Sequence, residues 1–414
     1  MKRGLEITLA AVLAAASTAA GGATPAMAQR QAPRPAAAEA GWPAFVQAFD
    51  AYARADSVVG GAAVLVRNGR VVARHDWGWA DRDARQRADT GTIYHYGSIT
   101  KTLTAIAVMQ LRDRGRLSLD DRVVRWVPEL RQVHDPYGAI DSVTVRMLLS
   151  HTAGFQNPTW PYGDGQPWEP FEPTRWEQLV AMMPYQTLHF RPGTRYSYSN
   201  PAYVYLARIV EQITGDPWET YVQKNLLTPL GLTRSYFGAT PYHLAAERSN
   251  NYTLVRDSTG DRAGERVVAN GRDFDPGVTI PNSGWNAPLG DLVRYAAFLT
   301  RAPHDTATGR RWDTVLPRRT LEEMWRPVAA VTSYPNAGAV GLGFFSYTAP
   351  TARGDSVALV GHTGEQAGFR SALYLNPRTG TAVIYVLNTT DEAHAERSSA
   401  GWLALLQQAL RLLP

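Results

Sequence analysis

Ser98 and Lys101 are the residues whose types and spacing point most directly to chemistry. They lie in the stretch YHYGSITK, residues 94 to 101, at the start of a run that predicts a helix reaching Leu111. Helical geometry places residues three apart on one face, one turn from each other. A serine hydroxyl needs a base when it attacks, and a lysine serves only if burial or a nearby cation keeps it partly neutral. The spacing is therefore that of a nucleophile and its base.

The alternative interpretation is an ordinary first helical turn, with Ser98 as the cap and Lys101 as a solvated charge, because an isolated S-x-x-K often carries no function. Lysine usage bears on this choice. Of 42 Lys and Arg residues, lysines occur only at positions 2, 101 and 224. Arginine cannot lose its proton in a protein. One of these few lysines stands where a deprotonatable amine is needed, which favours the catalytic interpretation.

Composition excludes several classes of function. The 414 residues are 44% hydrophobic and 19% charged, which is typical of a globular chain with one large domain carrying an insertion, or with two domains. The net charge of +5 involves no dense basic run, so nucleic acid is not an expected partner. The absence of cysteine excludes disulfides, a cysteine nucleophile and thiolate metal ligands.

Metal and elbow-type hydrolases also lack support. The nine histidines include no H-E-x-x-H pair, and no Gly-x-Ser-x-Gly elbow surrounds Ser98. We therefore expect no metal and no other cofactor. His151 is expected to satisfy local backbone groups beside Gly154.

The first 28 residues are typical of a bacterial export signal. They combine a positive start, an Ala/Leu-rich run and a small-x-small ending at Ala26-Met27-Ala28. The sequence predicts a signal peptide over 1–28, a mature chain from Gln29 and a periplasmic or secreted protein without a stable membrane anchor after cleavage. Residues 29–40, rich in Pro and Ala, are predicted to be a flexible leader.

The order of elements predicts an α/β (α+β) fold. Asn68-Gly69 between two β-rich runs is a strong hairpin signal, and strand patterns return from Val340. We therefore predict a central antiparallel sheet, formed from both chain ends and flanked by helices, with an inserted mainly helical domain. The predicted boundaries are 41–97 and 281–414 for the discontinuous sheet domain and 98–280 for the helical domain.

Two segments give little pattern. Residues 155–176 are dense in Pro, Gly and aromatics and too long for a plain connection, so a binding role is one interpretation. Trp160 and Trp168 would then line a cleft and contact substrate, and simple packing of the loop onto the body is the alternative. Residues 240–280 are polar and irregular, and the sequence predicts no element there.

Three short elements together carry a family resemblance: SITK at 98–101, YSN at 198–200 and HTG at 362–364. Their order and separation resemble the serine hydrolases built like class C β-lactamases, a penicillin-binding-protein-like family that includes D,D-peptidases, D-aminopeptidases and esterases. Flanking pieces agree over about residues 42 to 412: LLSHTAGF at 148–155, PG at 192–193, TPLGL at 228–232 and GFRSALYLNP at 368–377.

The resemblance implies a role for each matching residue. Ser98 would be the acylated nucleophile, and Lys101 its base or the group that lowers a partner's pKa. Tyr198 would share proton transfer, and Asn200 would hydrogen-bond Lys101 and the substrate amide. Backbone N–H groups of Ser98 and Glu365 would form the oxyanion hole. Taken alone, Tyr198 reads as a packed aromatic and Asn200 as a helix cap.

His362 departs from the penicillin-directed members, which usually have lysine there. With Thr363 and Gly364 it is predicted to contact substrate, but histidine is mostly neutral at pH 7, so carboxylate capture should be weaker. Glu365 adds an acid nearby. We therefore expect a small-molecule or peptide substrate, cleaved at an ester or a peptide-like amide, with at most weak β-lactamase activity. The alternatives are a true class C-type β-lactamase and a catalytically weak protein that binds peptidoglycan fragments or a protein partner.

Overall fold

The Asn68-Gly69 turn closes the predicted hairpin, with both residues at positive φ. The computed structural model describes residues 37–155, 173–257, 264–302, 306–331, 338–350 and 356–413. The strands are β1 Gly60–Arg67, β2 Arg70–Asp81, β3 Gln86–Arg87, β4 Ile93–His95, β5 Tyr236–Phe237, β6 Asn251–Asp257, β7 Gly264–Gly271, β8 Trp285–Pro288, β9 Ala329–Ala330, β10 Ala339–Val340, β11 Phe345–Pro350, β12 Ser356–Gln366, β13 Phe369–Asn376, β14 Thr381–Leu387 and β15 Thr389–Asp391.

The helices occupy mainly the middle of the chain. They are α1 Ala37–Ala55, α2 Thr100–Asp113, α3 Val145–Leu149, α4 Trp176–Met182, α5 Asn200–Thr214, α6 Trp218–Val222, α7 Thr228–Leu230, α8 Ile280–Ser283, α9 Leu289–Thr300, α10 Thr306–Val315, α11 Arg318–Met324 and α12 Ala395–Leu410. α1 begins four residues before Gly41, where the folded part was predicted to start. Within the described ranges, no helix combines the length and apolarity that crossing a membrane requires.

Among the described residues, nine strands form the central sheet, in the order β3-β2-β1-β14-β13-β12-β11-β10-β9 with antiparallel pairing. Both chain ends contribute, because β1 pairs with β14 from Gly61 opposite Leu387 to Arg67 opposite Thr381. This large antiparallel sheet flanked by helices confirms the predicted fold class.

Strand β14 has the almost continuously apolar sequence TAVIYVL, as expected for a strand that is buried on both faces. Its alternate residues Val383, Tyr385 and Leu387 pack in a cluster with α1 and α12, on what we call the outer face of the sheet. Ala382, Ile384 and Val386 pack in the larger core on the opposite, inner face, with α2, α5 and α9. The period of two in strand side chains thus separates two cores.

Two smaller sheets lie outside the nine strands. Residues 240–280, for which the sequence predicted no element, contain the antiparallel pair β6 and β7, and β15 joins β6 in parallel. The other sheet is β4-β8-β5. β4 leads directly into the stretch that holds Ser98, so this small sheet positions the candidate nucleophile.

Candidate active site

Ser98 lies in a single 3-10 turn, Gly97–Ile99, between β4 and α2. The Thr100 hydroxyl holds this turn against β8. It donates to the Gly97 carbonyl at 2.6 Å and accepts from the Trp285 amide of β8 at 3.0 Å. The Tyr96 amide in turn donates to the Trp285 carbonyl at 2.9 Å. Ser98 is half-buried at the start of the helix, so its hydroxyl is held in place but not sealed from solvent.

Lys101 is fully buried on the first turn of α2. Its Nζ lies 2.9 Å from Ser98 Oγ and 3.0 Å from the carbonyl oxygen of Asn282, at the end of α8. Burial lowers the pKa of Lys101 well below its usual value. The amine is thus within hydrogen-bonding distance of the hydroxyl and inclined toward its neutral form.

The two backbone segments predicted to form an oxyanion hole touch each other. Gly97 has a φ of +49°, and a Cβ added there would lie 2.7 Å from the backbone nitrogen of Glu365. On β12, a Cβ on Gly364 would overlap the Tyr96 carbonyl oxygen, which accepts from Ser371 Oγ at 2.9 Å. Both glycines therefore permit a backbone approach that any side chain would block.

Tyr198 faces the same amine. Lys101 Nζ lies 4.9 Å from the centre of the Tyr198 ring, and the ring is half-buried. Asn200 is the first residue of α5, and the residue before it, Ser199, is the helix cap, accepting from the Ala202 amide at 3.3 Å. Tyr198 therefore lies beside Lys101, the residue whose amine contacts Ser98, and the helix cap is Ser199 rather than Asn200.

His362 lies on β12 and is almost completely buried. Its Nδ1 donates to the Thr363 carbonyl oxygen at 2.5 Å, which leaves Nε2 as the unprotonated nitrogen of a neutral ring. Burial and the neighbouring Lys101 lower the pKa of His362 to about 3. Nε2 is buried without a hydrogen-bond partner among the described residues, and Phe345 and Tyr198 are the rings nearby. His362 therefore carries no charge at neutral pH.

Glu365 contributes no acid to this cleft. Its side chain pairs with Arg370 of β13, with Oε2 2.7 Å from Nε, and Arg370 Nη1 reaches Tyr52 of α1 and Ser398 of α12 at 3.0 and 2.8 Å. The Glu365 carboxylate thus lies on the outer face of the sheet, which corrects the expectation of an acid beside the substrate. Alternation places the Thr363 side chain, opposite Ala372, on that same outer face.

Two predicted contact residues, Trp160 and Trp168, lie outside the described residues. In the ranges that are described, no three His, Asp or Glu side chains converge as metal ligands.

The sequence missed the partner groups of the site. Nothing in SITK indicates that Lys101 donates to a backbone carbonyl 181 residues away. His151 does not bind the backbone beside Gly154 as expected, because its Nδ1 accepts from the Ser199 amide at 3.1 Å. The sequence could have marked His151 as a candidate site residue, because it is the one titratable residue in the stretch LLSHTAGF.

Comparison with known proteins agrees with this geometry. The beta-lactamase family model matches residues 44–408, which is most of the chain. The chain belongs to the beta-lactamase family. The match confirms the resemblance to class C β-lactamases and penicillin-binding proteins, and members of this fold family are serine hydrolases.

Individual relatives are distant. Protein flp of Staphylococcus aureus strain COL is 24% identical over 336 residues, which are 81% of this chain and 60% of that protein. The chain therefore spans three fifths of the length of this curated relative.

Two solved structures share the fold at 26% identity. The octameric penicillin-binding protein homologue from Pyrococcus abyssi has a TM-score of 0.69, with 88% of this chain and 77% of that chain covered. A D-stereospecific amidohydrolase from a Streptomyces species has a TM-score of 0.66, with 89% and 98% covered.

Proposed function

We propose that this protein is an exported serine hydrolase that forms an acyl-enzyme on Ser98 and hydrolyses an ester or a peptide-like amide. The observation that carries the proposal is the 2.9 Å distance between Lys101 Nζ and Ser98 Oγ, made by an amine whose pKa burial lowers. A lysine that is only a solvated charge has no reason to be buried, because burying an ammonium is unfavourable.

The proposed reaction has two steps. Ser98 Oγ bonds to the substrate carbonyl carbon while its proton passes to Lys101. The tetrahedral intermediate then breaks its bond to the leaving alcohol or amine, which takes a proton from Tyr198, and Lys101 passes the proton it took from Ser98 to Tyr198. In the second step, water bonds to the acyl carbon while its proton passes to Lys101. The bond between the acyl carbon and Ser98 Oγ then breaks, and Lys101 returns the proton to Ser98 Oγ, which releases the acid and free Ser98. General acid–base transfer of this kind contributes about 10²–10⁴-fold to the rate.

The negative oxygen of each intermediate needs hydrogen-bond donors. The backbone amides of Ser98 and Glu365 are proposed for this role, and the close approach of Gly97 to the Glu365 nitrogen supports it. Removing one such donor costs roughly 3–4 kcal/mol in enzymes that use this device.

The charges near Ser98 support the proposed substrate class. His362 is neutral, with a pKa near 3, and the Glu365 carboxylate pairs with Arg370 on the other face. Residue 362 therefore supplies no positive charge that could bind a substrate carboxylate. This favours esters and amides without a carboxylate at that position over β-lactams, and the likeness to a D-stereospecific amidohydrolase is consistent with an amide.

Labelling tests the proposal. Intact-mass spectrometry after a fluorophosphonate probe should find one adduct, on Ser98, which Ser98→Ala abolishes. An adduct that persists in Ser98→Ala overturns the proposal, and absence of any adduct favours a binding protein for peptidoglycan fragments or a protein partner.

Substrate screening tests the class of substrate. Turnover of nitrophenyl esters and D-amino-acid amides should exceed that of nitrocefin and should require Ser98. A nitrocefin rate that rivals the ester rate would favour the β-lactamase alternative.

Export is proposed from residues 1–28 alone. Expression with the full leader in a Gram-negative host should give a periplasmic or secreted protein whose N-terminal sequence begins at Gln29. Uncleaved protein in the cytoplasm would contradict this.

A further inference from the structure

His151 adopts a backbone conformation that needs a reason. It is buried in the turn after α3 and has a φ of +57°, in the left-handed region that is uncommon for residues other than glycine, although asparagine, aspartate and histidine enter it more often than most. Such strain persists only where the surroundings enforce it, and it concentrates at functional sites. The turn is held by the Thr152 amide on the Met147 carbonyl and the Gly193 amide on the Thr152 carbonyl, at 2.9 and 2.8 Å.

His151 binds the chain on both sides of Tyr198. The Ser197 amide donates to the His151 carbonyl oxygen at 2.9 Å, and the Ser199 amide donates to His151 Nδ1 at 3.1 Å. One residue therefore holds the two amides that flank the candidate proton donor. The path of the backbone through residue 198 is fixed by these two bonds.

The imidazole also packs on the phenol. The rings of His151 and Tyr198 have centroids 4.5 Å apart, and Phe345 is 6.3 Å from each of them. The ring can accept from Ser199 only while Nδ1 is unprotonated. Burial first, then the neighbouring Lys101 and His362, lowers the pKa of His151 well below its usual value, so the acceptor is preserved.

We propose that His151 is a positioning residue that fixes Tyr198 for proton transfer to the leaving group. This inference rests on the proposed function, in which Tyr198 supplies that proton. A histidine that merely fills the core would affect folding alone, whereas a positioning residue affects the step that needs the proton.

The leaving group separates these roles. Nitrophenolate departs without a proton, whereas an alkoxide must be protonated as the bond breaks. Poor placement of Tyr198 should therefore slow alkyl esters more than nitrophenyl esters. A loss of folded protein lowers both rates by the same factor.

The experiment compares His151→Phe with His151→Asn. Phenylalanine keeps a stacked ring but loses the acceptor, whereas asparagine offers an oxygen to the Ser199 amide and tolerates a positive φ. We expect His151→Phe to lose about 10–100-fold in kcat on an alkyl butyrate, by analogy with the loss seen when groups that orient metal ligands are removed. Its loss on nitrophenyl butyrate should be several-fold smaller, and His151→Asn should restore most of the alkyl-ester rate. If the phenylalanine variant does not fold, His151→Leu, which also lacks an acceptor, takes its place with the same expected ratio.

Equal losses on both esters, or no recovery with asparagine, would overturn the positioning role. In a Tyr198→Phe background, His151→Phe should leave the ratio of the two rates unchanged, because the group it positions is gone. Ser98→Ala keeps the two proposals separate. If Ser98→Ala retains turnover, the proposed function is wrong. If Ser98→Ala is inactive, but His151→Phe has the same ratio of alkyl-ester rate to nitrophenyl-ester rate as the unmodified protein, only the positioning role is wrong.

Discussion

Gly97 packs against Glu365 so closely that no side chain fits between them. A Cβ on residue 97 would lie 2.7 Å from the Glu365 nitrogen and 3.0 Å from its carbonyl carbon. The backbone of the turn that carries Ser98 therefore lies against the strand that carries His362. This contact fixes the spacing of the two proposed oxyanion donors.

Gly97→Ala should abolish most activity. The methyl group must push Glu365 away, and loss of an oxyanion donor lowers kcat by about 10²–10³-fold. Gly115→Ala is the matched control, because Gly115 has a φ of +67° but an added Cβ there meets no atom within 4 Å. Both variants bear the strain of a positive φ, so melting temperatures should fall in both and nitrophenyl ester turnover only in the first. Near-normal kcat in Gly97→Ala would contradict the oxyanion assignment.

Lys101→Arg should be nearly inactive, because arginine stays protonated in a protein and cannot accept the Ser98 proton. Loss of a general base lowers the rate by about 10²–10⁴-fold. Lys224→Arg is the control, since Lys224 is exposed and pairs with Asp216 at 2.8 Å. Burst kinetics with a nitrophenyl ester measure the acylation step directly. If Lys101→Arg acylates at the rate of the unmodified protein, Lys101 is not the base.

Glu365→Gln should change stability and leave catalysis intact. The carboxylate pairs with Arg370 on the outer face, and the Glu365 side chain is 54% exposed, so solvent screens the pair. We expect a loss of ~1 kcal/mol in the free energy of unfolding, and kcat/KM for neutral esters should stay within about twofold because the oxyanion donor is the backbone amide. Glu322→Gln, which removes an exposed pair with Arg318, serves as control. A large change in KM would mean that the Glu365 side chain contacts substrate after all.

Acid should destabilise the protein through its buried histidines. Burial lowers the pKa of His95 to about 4 and that of His362 to about 3, from an ordinary value of 6.5. Between the ordinary pKa of 6.5 and the lowered pKa of each histidine, the unfolded chain binds a proton that the folded chain does not. The free energy of unfolding therefore falls as pH falls from 6.5 toward 4. Each such histidine contributes a slope of up to about 1.4 kcal/mol per pH unit.

Urea unfolding at pH 6.5, 5.5 and 4.5 measures this slope. His362→Gln should be less sensitive to acid than the unmodified protein, whereas His243→Gln, at an exposed position, should not differ from it. An unchanged slope in His362→Gln would mean that His362 becomes protonated without unfolding.

Local patterns in the sequence were sufficient to predict the central sheet and the pairing of Ser98 with Lys101. Asn68-Gly69 specifies a two-residue turn because both residues tolerate positive φ. The apolar run of β14 indicates a strand covered on both faces. Ser98 and Lys101 meet because three residues along a helix make one turn, a relationship that needs no other part of the chain. The β6–β7 pair was missed because β7 is largely exposed and shows no apolar alternation.

The chemistry of those residues was decided by tertiary structure. Whether Lys101 holds its proton depends on its burial by distant segments of the chain. Whether Glu365 faces substrate depends on strand register, since a shift of one residue exchanges the two faces. The contact between His151 and Tyr198 joins two segments 47 residues apart that no periodic pattern connects. The sequence by itself determined which groups are present and which neighbours share a helical turn, and only the packed chain set their distances, charges and directions.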